Sequence, residues 1–122
     1  MIPLRLRAKR GNKNKSVLTV VDGITFQSGA EARRYGQLSM LQRAGLISDL
    51  KAHPKFSIKV NDIDICSVLL DFSYVDTKTG KTIIEDVKGL DNSTSRLKRK
   101  LVEAIHSFKV VIIKMPRARV KK

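Results

Sequence analysis

The sequence has few of the residues that build covalent cross-links or soft-metal sites. Its single cysteine, Cys66, excludes an internal disulfide and a cysteine-rich zinc site. Its two histidines, His53 and His106, argue against a histidine-based metal site. Metal chemistry in this chain would therefore have to use carboxylates. The absence of tryptophan and an aromatic content of only 5% disfavour a stacking platform for single-stranded nucleic acid.

Long apolar segments are also missing. No apolar run approaches the ~20 residues needed to span a bilayer, and residues 1–15 lack the hydrophobic core of a signal peptide. We therefore expect a cytoplasmic protein with no membrane partner. Apolar residues still make up 42% of the 122 positions, which is enough for the core of one domain.

Acidic residues are absent from both ends of the chain. Twenty-five Lys and Arg against 11 Asp and Glu give a net charge of +14, and every acid lies between Asp22 and Glu103. We therefore divide the chain into a basic N-terminal arm (1–16), a folded domain (17–114) and a basic C-terminal tail (115–122). Such a charge predicts a polyanionic partner, most often nucleic acid. The residues of the arm expected to contact phosphates, with a merely solvated arm as the alternative, are Arg5, Arg7, Lys9, Arg10, Lys13 and Lys15.

The pattern of turns and apolar positions predicts an α/β fold, a single domain with a central mixed sheet flanked by helices. Asp22-Gly23 is a hairpin turn signal, Ser28 is an N-cap for a helix to about Ala44, and Gly45 would end that helix. Strands are expected at 46–50, 55–60, 63–75 and 81–88, with a final buried strand at 110–113. A second helix is expected from Thr94 or Ser95 to about His106.

The central hairpin carries the most informative pattern. If residues 77–80 form a four-residue loop, Asp71 lies opposite Asp86, and Lys88 shares the face of Asp86. Two opposed carboxylates repel each other, but a divalent cation between them would make the interaction attractive. Mg²⁺ prefers such oxygen ligands. A five-residue loop would instead pair Asp71 with Glu85 and turn Lys88 away. Keeping a carboxylate and the lysine on one face favours Asp86.

Three further groups of polar residues have both a structural and a functional interpretation. Ser28 and Glu31 form a capping box, which by itself makes Glu31 a structural residue. Arg34 on the first helix and a basic cluster on the second are expected to contact phosphates, with a solvated helix face as the alternative. That cluster consists of Arg96, Lys98, Arg99 and Lys100.

The order of these motifs resembles a known superfamily. Ser28-Gly29-Ala30-Glu31 opens a helix, Leu70-Asp71-Phe72 follows on a strand, and Asp86-Val87-Lys88-Gly89 closes the pattern. This layout resembles the PD-(D/E)XK nucleases, in the form found in phage Holliday-junction resolvases of the endonuclease I type. It is similar also to small phage proteins that share Arg34-Tyr35 and Glu85-Asp86-Val87-Lys88-Gly89. Leu70 departs from the proline in the superfamily's name.

The resemblance implies a restriction-endonuclease-like fold and a metal-dependent, structure-selective DNA endonuclease that hydrolyses phosphodiester bonds. A phage Holliday-junction resolvase acting in DNA recombination is the form it favours. The implied cofactor is Mg²⁺, with Mn²⁺ as a substitute and no small-molecule cofactor. The implied metal ligands are Asp71, Asp86, Glu31 and the Val87 carbonyl, and Lys88 would be the catalytic lysine. The implied partners are branched or duplex DNA and a second copy of the chain, and Glu31 would serve either its own or the partner's site.

Two other functions fit parts of the pattern. A non-enzymatic nucleic-acid-binding protein, of ribosomal or architectural type, would explain the size and the basic ends. It would not explain why Asp71 and Asp86 oppose each other on one face of a basic protein. A nuclease with another substrate, such as flaps or plain duplex, would have the same site.

Overall fold

The computed structural model of the protein describes residues 18–89 and 92–116. The N-terminal arm, with its six candidate DNA contacts, and residues 117–122 of the tail lie outside this part. The described residues form two helices and eight strands in the order β1 (Thr19–Val21), β2 (Ile24–Phe26), α1 (Gly29–Arg43), β3 (Ile47–Ala52), β4 (Lys55–Val60), β5 (Ile63–Leu69), β6 (Phe72–Asp76), β7 (Thr82–Val87), α2 (Ser93–His106) and β8 (Val110–Ile113).

A four-stranded mixed sheet in the order β3-β6-β7-β8 forms the centre of the domain. The β3–β6 and β6–β7 pairs are antiparallel, and β7–β8 is parallel, with α2 as the crossover. Two antiparallel ribbons, β1–β2 and β4–β5, complete the described strands. The predicted α/β class with a mixed sheet and two helices is confirmed.

Two hydrophobic clusters contact the sheet. The α1 cluster contains buried Phe26, Leu38, Phe72, Tyr74 and Val87, and joins α1 and the β1–β2 ribbon to the sheet. The α2 cluster contains buried Ile58, Val68, Leu70, Ile84 and Val102, and joins α2 and the β4–β5 ribbon to it. Because side chains alternate along β7, Ile84 packs in one cluster and Val87 in the other. The strand that carries the predicted chemistry is therefore covered from both sides.

The ends of α1 follow from its sequence. The Ser28 hydroxyl accepts a hydrogen bond from the Glu31 amide at 3.2 Å, as a helix N-cap requires. Gly45 adopts a left-handed φ of +83°, and the Gly45 and Leu46 amides donate to the carbonyls of Gln42 and Leu41, which is a Schellman motif. The predicted helix and both of its boundary signals are confirmed.

The predicted strand over residues 63–75 is wrong. It divides into β5 and β6 at Leu70-Asp71, because β5 pairs with β4 whereas β6 pairs with β3 and β7. The Leu70 amide donates to the Pro54 carbonyl at 3.0 Å at this break. A proline at position 70 would lose that hydrogen bond, which explains why leucine fits here.

Two smaller expectations also need correction. Helix α2 begins earlier than predicted, because the Asn92 side chain caps it by accepting from the Ser95 amide at 2.9 Å. The final strand is not wholly buried: Val110 is buried, but Val111 and Ile112 are exposed on the last strand of the sheet. Neither described helix combines the length and apolarity that crossing a membrane would require.

Candidate active site

The register of the β6–β7 hairpin determines which carboxylate faces Asp71. Tyr74 pairs with Ile83 and Phe72 with Glu85, and the Asp76 amide donates to the Lys81 carbonyl at 2.9 Å. The loop therefore has the four residues 77–80, and Asp71, one position before β6, lies level with Asp86. The predicted register is confirmed, and the alternative with Glu85 opposite Asp71 is wrong.

The predicted catalytic residues line one cavity of about 330 Å³ at the end of the sheet. They come from separate elements: Glu31 from the first turn of α1, Asp71 from the break before β6, and Asp86 and Lys88 from the end of β7. Residues in the first two turns of α2 line another side of the cavity. The lining consists of Glu31, Asp71, Asp86, Val87, Lys88, Gly89, Ser95, Arg99 and Ile112.

The two opposed aspartates interact directly. Burial and the charge of Asp71 raise the pKa of Asp86 to about 7. Burial also raises the pKa of Asp71, against the hydrogen bond that Asp71 Oδ2 accepts from the Val87 amide at 2.6 Å. Asp86 therefore resists ionisation while Asp71 is charged, and the hydrogen bond between the two carboxyl groups lowers the pKa of Asp71. A divalent cation beside the pair would remove that penalty, as the sequence analysis anticipated.

Glu31 is both a capping residue and a member of the cavity. Its Oε1 accepts a hydrogen bond from the Gln27 amide at 3.3 Å, whereas the expected capping box would direct it to Ser28. Burial and the nearby Asp71 charge raise the pKa of Glu31 to about 7. The shift shows that the carboxyl lies in the same electrostatic environment as the aspartate pair.

Two cations face these carboxylates. Lys88 lines the cavity, and its backbone amide donates to the Ile113 carbonyl at 2.7 Å, which fixes the chain just after β7. Arg99 Nη1 lies 3.8 Å from Asp86 Oδ2, and both side chains are largely buried, at 20% and 24% exposed. Arg99 is thus the member of the predicted basic cluster that reaches the carboxylates.

The donor set fits Mg²⁺ better than a fully protein-coordinated metal. Within residues 18–89 and 92–116, no three His, Cys, Asp or Glu side chains are arranged as a preformed metal cluster. Mg²⁺ does not need one, because it usually takes one or two carboxylates and keeps several waters. The Asp71–Asp86 pair supplies two, with hard oxygen atoms in a cavity large enough for water. Glu31 and the Val87 carbonyl would then be secondary ligands.

The opposite face of β7 carries a different cluster. Glu85, only 1% exposed, accepts hydrogen bonds from Arg34 Nε at 2.9 Å and Arg34 Nη2 at 2.6 Å, and also from the Tyr74 hydroxyl. Arg34 Nη1 donates to Gln37 at 2.8 Å. Arg34 was expected to contact DNA, but its guanidinium is bound within the fold. The hydrogen bonds to Glu85, and then its charge, raise the pKa of Arg34 against the effect of burial.

The remaining members of the basic cluster on α2 lie outside the main cavity. Lys98 lines a smaller adjoining cavity of about 180 Å³ that shares Asp86, Ser95 and Arg99 with the first. Arg96 and Lys100 lie four residues apart on one side of the helix, have exposed side chains and line neither cavity. The cluster therefore does not act as one unit, because successive residues of a helix point in different directions.

Sequence reasoning missed two residues near the aspartates. The sequence analysis considered His53 only as a metal ligand, yet its amide donates to the Asp71 carbonyl at 2.9 Å. Ser95 was expected only as a helix cap, but it lines both cavities. The signal for Ser95 was its i, i+4 spacing from Arg99. No local signal could have placed His53.

Comparison with known proteins assigns the chain to one family. The profile described as "Protein of unknown function (DUF1064)" matches residues 11–118, which is most of the chain, and the chain therefore belongs to that family. No curated protein and no solved structure matches the sequence. Family membership covers the whole described domain, including every residue of the cavity, but by itself assigns no activity.

Proposed function

We propose that the protein is a Mg²⁺-dependent DNA endonuclease that hydrolyses phosphodiester bonds, with branched DNA such as the Holliday junction as its preferred substrate. The observation that carries this proposal is the convergence of Glu31, Asp71, Asp86 and Lys88 in one cavity. These residues come from three separate elements of the chain. A fold that needed charge only for solubility would have no reason to bring them together.

The net charge supports DNA as the substrate. A protein with a charge of +14 attracts phosphates at long range, yet it holds three carboxyl groups in one cavity. These groups would repel a phosphate unless a cation intervened. Mn²⁺ is the expected substitute metal, and the cytoplasm of a phage-infected cell is the compartment in which such a substrate would be met.

Each side chain has a role that follows from its position. Asp71 and Asp86 would hold Mg²⁺, which supplies Lewis acidity to a phosphoryl oxygen. Lys88, two residues beyond Asp86, would orient the attacking water or stabilise charge that develops on the phosphate. Arg99, already within 3.8 Å of Asp86, would bind a phosphate oxygen. Glu31 would add a third negative charge to the cation site.

The decisive test is cleavage of labelled four-way junction, flap and linear duplex DNA, each with Mg²⁺ and with a chelator. We expect Mg²⁺-dependent cuts, strongest on the junction, and none with chelator. Two matched cuts on a junction would also indicate the proposed homodimer. The matched control is Asp64→Asn, which makes the same chemical change at an exposed position outside the cavity. Salt-dependent binding without cleavage of any substrate would favour the non-enzymatic nucleic-acid-binding protein instead.

A further inference from the structure

The buried cluster behind the cavity has one member on each element that positions a cavity carboxylate. Arg34 lies three residues after Glu31 on α1, and Glu85 immediately precedes Asp86 on β7. Tyr74 lies on β6, whose first residue directly follows Asp71. The three residues meet at the Glu85 carboxylate, which the Arg34 guanidinium and the Tyr74 hydroxyl both contact.

We propose that Arg34, Glu85 and Tyr74 are positioning residues that fix α1 against the β6–β7 pair, and so set the separation of Glu31 from Asp71 and Asp86. We call these three residues the rear clamp. This inference rests on the proposed nuclease function and deepens it. It also replaces the expected role of Arg34, because a positioning residue acts through the carboxylates and not on the DNA.

The geometry of the contact supports a positioning role. Both Arg34 nitrogens, Nε and Nη2, bind separate oxygens of Glu85, at 2.9 and 2.6 Å, so the pair is bidentate and fixes orientation as well as distance. Residues three apart on a helix lie on neighbouring parts of its surface, about 4.5 Å apart along the axis. A shift of the Arg34–Glu85 pair would therefore move Glu31 relative to Asp86 by a similar amount.

The cavity itself cannot set this separation. Burial raises the pKa values of Glu31, Asp71 and Asp86, and the Asp71 charge adds to the rise at Glu31 and Asp86. Ionised Glu31 is repelled by the ionised aspartates, so the cavity supplies no attraction that would hold α1 in place.

β6 and β7 are already held together by their backbone ladder and by the hydrogen bond from the Val87 amide to Asp71, so α1 is the element whose position depends on side-chain contacts. On the other face, α1 contacts the sheet through the rear clamp and through the apolar cluster around Leu38 and Phe72. Of these, only the rear clamp is directional, because apolar packing has no preferred bond angle.

The test variant is Arg34→Lys, because lysine keeps the positive charge beside Glu85 but cannot form the planar fork. Leu38→Ala is the control, since it removes buried packing from the same helix and leaves the rear clamp intact. Both are assayed at a temperature at which circular dichroism shows them folded. The measurements are kcat, KM, the Mg²⁺ concentration that gives half of the thermal stabilisation, and the DNA dissociation constant against salt.

A positioning role predicts a specific combination of results. Arg34→Lys should lower kcat by about 10- to 100-fold. It should also raise by about tenfold the Mg²⁺ concentration that gives half of the thermal stabilisation (the Mg²⁺ midpoint), as loss of the residues that orient metal ligands usually does. Its DNA affinity and salt slope should match those of the parent. Leu38→Ala should lower thermal stability at least as much, but keep kcat and the Mg²⁺ midpoint within about threefold, since it breaks no directional contact.

Several outcomes would overturn the inference. One is an Arg34→Lys variant that matches the parent, and another is equal losses of kcat in Arg34→Lys and Leu38→Ala. A third outcome concerns Arg34→Gln. If this variant reduces the slope of log DNA affinity against log salt concentration by about one unit and leaves kcat unchanged, Arg34 contacts a phosphate and is not a positioning residue. Should Arg34→Lys fail to fold, Tyr74→Phe carries the test, with a smaller kcat loss expected and parental kcat contradicting the proposal. A parent protein that neither responds to Mg²⁺ nor cuts DNA contradicts the proposed function itself.

Discussion

Adjacent residues on β7, Glu85 and Asp86, show two opposite ways to bury a carboxylate. Glu85 is fully buried and has three hydrogen bonds, two of them from the Arg34 guanidinium. Asp86 is 24% exposed and faces another aspartate, and Arg99 Nη1 lies 3.8 Å from its Oδ2. One face of the strand is electrostatically complete, whereas the other has an excess of negative charge. A buried carboxylate therefore indicates a functional site when no nearby positive charge or set of hydrogen bonds compensates its negative charge.

The largest expected effect on activity comes from removing one charge of the aspartate pair. Asp86→Asn and Asp71→Asn should each reduce cleavage by about 10⁴-fold, about 5.5 kcal/mol of transition-state stabilisation. DNA binding should be kept or tightened, because the surface becomes less repulsive to phosphate. Gel shifts and cleavage assays on the same junction would measure both effects. Parental cleavage by both variants would refute the assigned ligand pair.

The second prediction concerns the face of β7 on which the Glu85 charge is compensated by Arg34. Arg34→Met leaves Glu85 as an unpaired buried charge, so the free energy of unfolding should fall by about 3–5 kcal/mol. Asp86→Asn provides the contrast, because it should raise the melting temperature in chelator at pH 8 by relieving repulsion. Chemical denaturation of both variants without metal would compare the two faces directly. Equal destabilisation by the two substitutions would mean that the faces do not differ as described.

A third prediction separates the roles within the cavity. Lys88→Ala should lower kcat by about 10²–10³-fold, which is typical for loss of one preorganised charge-stabilising group. The Mg²⁺ concentration needed for thermal stabilisation should change little, because the ammonium is not a ligand. A large loss of Mg²⁺ binding would instead show that Lys88 maintains the geometry of the aspartate pair.

A fourth prediction is a pH dependence of stability without metal. The pKa of Asp86 rises from 3.8 to about 7 on folding, and that of Glu31 from 4.5 to about 7. Between about pH 4 and 7 the native state therefore holds protons that the unfolded chain releases, so stability falls as pH rises through this window. At about 1.4 kcal/mol per pKa unit, these shifts lower the stability by up to a few kcal/mol, and each 1 kcal/mol lost lowers the melting temperature by about 4 °C.

Two controls sharpen this measurement. Mg²⁺ should restore the lost stability above pH 7, because it binds only the native carboxylate pair. Asp86→Asn should flatten the pH profile and respond less to Mg²⁺. Melting curves from pH 4 to 8, with chelator or Mg²⁺, test both points, and a flat profile for the parent protein would contradict the raised pKa values.

Much of the fold could be predicted because its signals are local. Asp22 and Gly23 both adopt positive φ, at 53° and 77°, as a type I′ turn requires, and that dipeptide is its sequence signal. The break at Leu70-Asp71 could not be predicted in the same way. Residues 63–75 have continuous strand propensity, and only the choice of different partners for β5 and β6 divides them.

The sequence by itself determined the alternation along β7 and the length of the preceding loop. Those two features place Asp86 opposite Asp71 and turn Glu85 away, because side chains on a strand alternate with a period of two. They also identified Lys88 as a neighbour of Asp86. Periodicity is a short-range property, so a correct register could be inferred without knowledge of the rest of the chain.

Only the tertiary structure decided which charges are compensated. Arg34 and Glu85 are 51 residues apart, and nothing in the local pattern of either indicates that they meet. The same holds for Glu31, whose place beside Asp71 depends on how α1 packs across the end of the sheet. Electrostatic interactions depend on distance and burial in space, not on separation along the chain. The identity of the carboxylates is therefore a property of the sequence, and the excess charge that makes them a candidate active site is a property of the fold.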